Sequence, residues 1–191
     1  MEQSEASLYE SPIAKILFVV GCAVTYFFAF KLNSLLFESL KFSHGVNWIF
    51  LPSGLRFLFV LVLLSTGSIG ITLASLALNY TNGFSDHHLL NIVTALISGF
   101  APLLARQICV DYLRIGNTLQ HVTAKLLFQI SFVFALISSL LHQVWFFWND
   151  VTENFITSSF AMAVGDWLGT TLVLATASMI VKLYSALSST D

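Results

Sequence analysis

Arg56 and Asp166 place opposite charges in apolar surroundings. Arg56 follows Asn47-Trp48-Ile49-Phe50-Leu51-Pro52-Ser53-Gly54-Leu55 and opens a long apolar run, while Asp166 sits in Gly165-Asp166-Trp167-Leu168-Gly169, inside another. A guanidinium is a permanent cation whose fixed fork of donors suits carboxylate or phosphate. A charge in hydrocarbon costs at least about 2.5 kcal/mol on insertion scales, so each residue is a functional-site candidate that needs a partner. The two are the natural pair to join. The plainer alternative is a structural ion pair that locks helix packing, with Pro52 and Gly54 merely at a helix start. If the helix is instead interrupted near Pro52, the freed backbone groups need protein or a water-filled cavity to satisfy them.

A second group of polar residues lies at Gly116-Asn117-Thr118-Leu119-Gln120-His121 with Lys125 beyond. At helical spacing Asn117, Gln120, His121 and Lys125 share one face. That stripe either lines a polar cavity together with Arg56 and Asp166, or makes interhelical hydrogen bonds while Lys125 snorkels to the headgroups. The ligand or partner site expected on these grounds is Arg56, Asp166, Asn117, Gln120, His121 and Pro52. His44, His87, His88 and His142, with acids in the same loops, are weak candidates for a metal; no HxxxH or HExxH spacing fixes two ligands on one helix. No GxSxG, HExxH or Gly-rich phosphate loop is present, so the expectation is a non-enzyme, and the sequence names no cofactor.

These residues have to be positioned by membrane helices. Of the 191 residues 57% are hydrophobic and 9% charged, and the mean hydropathy of +0.83 belongs to a polytopic membrane protein. The expected fold is all-α, a transmembrane helical bundle with the lipid bilayer as its surroundings. Residues 1–13 read as a polar N-terminal segment, unlike a cleaved signal peptide, 14–187 as one transmembrane domain and 188–191 as a tail. With about 20 residues per span, the spans fall at 14–36, two short ones within 46–81 broken near Ser65-Thr66-Gly67-Ser68, then 88–107, 118–147 and 156–187. That makes six. The alternative is five plus a re-entrant segment at 46–55.

Arg106, Arg114 and Lys182 put the 106–117 loop and the C-terminus on the cytoplasmic side by the positive-inside rule. Trp145-Phe146-Phe147-Trp148 reads as an interfacial anchor, Gly67 and Gly70 as a tight turn between the short spans. Cys22 and Cys109 imply no disulfide framework. A net charge of −2 offers no basic patch, which argues against nucleic acid.

The order of these motifs resembles the membrane-associated sensor domains of the MASE type found in bacterial signalling proteins. The matching residues are Trp48 with Pro52 and Gly54, then Gly116-Asn117-Thr118-Leu119-Gln120, then Gly165-Asp166-Trp167-Leu168-Gly169, over about 46–185. Trp48 and Pro52 stand apart where the family pattern has them adjacent, and the family's usual domain has more spans. The resemblance implies a sensor in the bacterial cytoplasmic membrane that binds a small ligand or a membrane partner. Such domains are usually fused to an output domain; the expectation here is a stand-alone sensor that signals in trans through a membrane or cytoplasmic partner. The competing readings are a small-solute transporter component and a structural or assembly subunit of a membrane complex.

Overall fold

Ser11 begins the first helix: its Oγ accepts from Ala14 N at 3.1 Å, and Pro12 follows in the first turn, where a missing N–H breaks no helical bond. The computed structural model describes residues 11–43, 45–82, 87–113 and 123–188. Among them are the helices α1 (Pro12–Leu36), α2 (Leu51–Leu63), α3 (Ser65–Asn82), α4 (His88–Leu113), α5 (Ala124–Trp148) and α6 (Phe155–Ser188). Between α1 and α2 come a short 3₁₀ turn, Glu38–Leu40, and two strands absent from the all-α expectation, β1 (Lys41–Ser43) and β2 (Val46–Asn47). They pair antiparallel with Lys41 opposite Asn47 and Ser43 opposite Val46. Gly45, at φ +74°, takes the left-handed position that this reversal needs.

Four stretches, Pro12–Leu36, His88–Asp111, Lys125–Trp148 and Phe155–Tyr184, are long and apolar enough to cross a membrane. They place the chain among membrane proteins. α2, with 13 residues, is about 20 Å long and falls short of a bilayer core of about 30 Å.

The break between α2 and α3 falls at Leu64, one residue before the expected site. Leu64 adopts φ +53°, and the chain folds back there. A Cβ on Gly67 would stand 2.5 Å from Phe59 O, and Val60 shares a buried cluster with Ile71 and Ala74. A single span over 56–80 is therefore excluded. Gly67 and Gly70 lie inside α3 rather than in the turn: a Cβ on Gly70 would meet Cys22 and Val19 of α1. Both are positions where helices approach closely.

Contacts set the helix directions. α3 runs antiparallel to α4, with Ser68 Oγ bonded to Gly99 O and Asn79 Nδ2 to Asn91 O. α6 runs antiparallel to α5, with Gln143 beside Met162 and Phe128 against Trp167. α2 runs parallel to α6, because Phe50 meets Gly169 and Gly54 meets Val173. One end of the bundle thus carries the β-hairpin, the starts of α4 and α6 and the ends of α1, α3 and α5. An apolar core of Phe57, Cys109, Ile130, Phe134 and Leu174 fills the interior toward the opposite end, with Phe57 stacked on Phe134 at 5.0 Å. Ile16, Val20, Val24 and Phe28 on α1 are exposed, as suits a lipid-facing surface.

Candidate functional site

Two glycines one turn apart on α6 bring the charged residues together. A Cβ on Gly165 would lie 1.9 Å from Asn47 O, and one on Gly169 1.9 Å from Phe50 O, so only bare backbone lets the chain pass into α2. Phe50 N–H donates to Gly165 O at 3.2 Å. Asn33 of α1 answers two further backbone groups: its Oδ1 accepts from Leu51 N at 3.0 Å and its Nδ2 donates to Ile49 O at 3.3 Å. The non-helical approach to α2 thereby finds protein partners for its polar groups. Pro52 is buried in the first turn of α2 and opens that helix rather than interrupting one.

One turn beyond, Arg56 meets Asp166. Arg56 Nη2 donates to both carboxylate oxygens at 3.2 Å, and each residue is only 1% exposed. Asp166 lies about 16 Å along α6 from its start, well inside the span. The guanidinium carbon is 5.5 Å from the centroid of the Phe50 ring and 5.6 Å from that of Phe134, in reach of cation–π attraction. Ser53 Oγ ties the two helices together through Phe50 O at 2.7 Å, Asp166 O at 2.9 Å and Thr170 Oγ1 at 3.2 Å.

Arg56 also lines a cavity of about 320 Å³. Its mouth is at the hairpin end, beside the exposed Ser34, Glu38 and Lys41. Its floor holds the buried Tyr26, Arg56, Ser75, Thr94, Ser98 and His142. Arg56 Nε, Ser75 Oγ and Thr94 Oγ1 are all buried without a hydrogen-bond partner of good geometry. His142 Nδ1–H donates to Ser138 O at 2.8 Å, and its Nε2 pairs with Ser98 Oγ at 3.1 Å. The apolar core around Phe57 and Phe134 lies beyond the floor.

The structure joins Arg56 to Asp166 with Pro52 close by in the same helix turn region. Asn117, Gln120, His121 and His44 lie outside the described residues, while Lys125 is exposed in the first turn of α5, at the end away from the cavity mouth. His142, expected near the outer face with the loop histidines, is instead buried in the cavity. His88 Nδ1 pairs with Tyr80 Oη at 3.0 Å and His87 is exposed. Among the described residues no three His, Cys, Asp or Glu side chains gather as a metal site would require. In Trp145-Phe146-Phe147-Trp148 the exposed Phe147 and Trp148 fit the anchor reading, but Phe146 is a buried cavity wall.

Sequence reasoning missed Tyr26, Ser75, Thr94 and Ser98. A signal existed. Ser68, Thr72, Ser75 and Asn79 recur at helical spacing along α3, and Asn91, Thr94 and Ser98 along α4. No family model, curated protein or solved structure matches this chain.

Proposed function

We infer that this protein is a membrane receptor that holds a small ligand in the cavity above Arg56 and Asp166. The observation that carries the reading is a buried ion pair at the cavity floor, beside polar groups that have no partner of good geometry among the described residues. Buried polar groups are normally satisfied, so three such residues lining one cavity support a guest there. The cavity mouth at one end and the apolar core beyond the floor favour a receptor over an open pore. Ligand binding shifts α2 against α6 through Ser53 and the ion pair, and a membrane partner reads that shift in trans, as the resemblance to MASE-type domains implies.

The topology belonging to this reading has six crossings. α2 runs down and α3 back, and the 3₁₀ turn with the β-hairpin caps the outer part of the short α2. Lys15, Arg106, Lys125 and Lys182 lie toward the end opposite the hairpin, which the positive-inside rule assigns to the cytoplasm of a bacterial cell.

Gentle extraction followed by native mass spectrometry tests the site. The expected result is a small molecule retained by the intact protein. A bare chain, or a fixed stoichiometric partner chain with no small molecule, would overturn it. Uptake of that molecule into sealed vesicles would move the assignment to a transporter, which must alternate access.

A further inference from the structure

The floor of the cavity defines the chemistry of its occupant, an inference that rests on the ligand-binding reading above. Arg56 already faces Asp166 through Nη2, so the pair contributes no net charge. A carboxylate or ammonium group brought beside it would add an unbalanced charge at membrane depth, which is strongly unfavourable. An uncharged group escapes that cost.

Hydrogen bonding narrows the class. Arg56 Nε–H can only donate, while the Ser75 and Thr94 hydroxyls can donate and accept, and among the described residues none of the three has a partner of good geometry, Tyr26 lying beside Ser75. An acceptor completes the set. Because His142 Nδ1–H donates to Ser138 O, the neutral ring presents Nε2 as an acceptor. Its neighbour Ser98 has one hydroxyl proton for two acceptors, Thr94 O at 3.0 Å and His142 Nε2 at 3.1 Å. When that proton goes to Thr94 O, Nε2 is open to a donor from the ligand. Next to this floor the walls include the apolar Phe30, Phe50, Leu78, Phe146 and Met162, while the charged Lys31, Glu38 and Lys41 lie toward the mouth. The volume of about 320 Å³ lies at the low end of ligand pockets, about 300–1,000 Å³.

We propose that the cavity takes a small uncharged molecule with an amide- or alcohol-type head on an apolar, ring-sized body. The head, donor and acceptor at once, meets Arg56 Nε, Ser75, Thr94 and His142 Nε2. The body packs against the phenylalanine walls.

Three probes that share a ring and differ in charge test this on the full chain in detergent: benzamide, benzoate and benzylammonium, each titrated calorimetrically. Benzamide should bind at least about tenfold more tightly than either ion. Ser75→Ala and Thr94→Val should hold or raise Tm without probe, because each removes a buried hydroxyl that has no well-aligned partner, and yet weaken benzamide binding by about tenfold. A merely structural hydroxyl would not give those opposite signs. Tightest binding of benzoate or benzylammonium, unchanged benzamide affinity in both variants, or no binding of any probe at millimolar concentration would each overturn the proposal. The ligand-binding reading is judged separately: a charged molecule retained in native mass spectrometry would sink the uncharged class and uphold the cavity as a site.

Discussion

Arg56 and Asp166 depend on each other because both charges are buried and each is the other's ion-pair partner. Removing one leaves the other buried and unpaired, which typically costs about 3–5 kcal/mol, whereas replacing both with apolar residues of similar volume is often neutral or stabilising. Arg56→Met and Asp166→Leu should therefore each destabilise the protein strongly, and the double variant Arg56→Met with Asp166→Leu should recover most of the loss. Reversible unfolding in mixed micelles measures all of these. Additive losses in the double variant would show that the pair is not the energetic unit its geometry describes. The same double variant tests the proposed binding role: it should lose ligand binding while staying folded, which separates that role from packing.

At the scale of elements, the contact of α2 with α6 hangs on glycine. Gly165→Ala or Gly169→Ala drives a methyl group into Asn47 O or Phe50 O, and neither backbone segment can swing away as a side-chain tip could. Each should cost about 1–3 kcal/mol or more. Gly21→Ala on α1, with open space around the new Cβ, should be neutral or slightly stabilising and serves as the control. Leu64 gives the opposite expectation. A bulky residue at φ +53° is strained by about 1–3 kcal/mol, and its side chain is partly exposed, so Leu64→Gly should stabilise the α2–α3 reversal by about 1 kcal/mol. Thermal unfolding of the three glycine variants beside Leu64→Gly checks both signs at once.

At the scale of the whole molecule, the proposed six-crossing arrangement predicts which side each end faces. Cys22 and Cys109 are buried, so a membrane-impermeant maleimide reports on introduced cysteines. Lys41→Cys should label in intact cells and Lys182→Cys only after permeabilisation; the reverse pattern would invert the protein in the membrane. By itself the sequence determined that the chain forms apolar helices, roughly where most of them begin and end, and that Arg56 and Asp166 need partners. Composition and the price of a charge in hydrocarbon act through local chemistry, so they are legible in one dimension. The break between α2 and α3 was legible to within one residue, but not its exact place: no Gly or Pro occupies Leu64, and Ser65 to Ser68 start the next helix rather than form the turn. The hairpin at 41–47 was hidden in the same way, since it forms only where α6 offers Gly165 to its backbone. The cavity was decided by tertiary structure alone. Ser75, Thr94, Ser98 and His142 come from three helices, and a serine or threonine within a helix can satisfy itself on the carbonyl four residues back, as Thr72 does on Ser68 O and Ser131 on Leu127 O. Only the packing of the helices around one space brings these groups together, and so turns scattered hydroxyls into a floor.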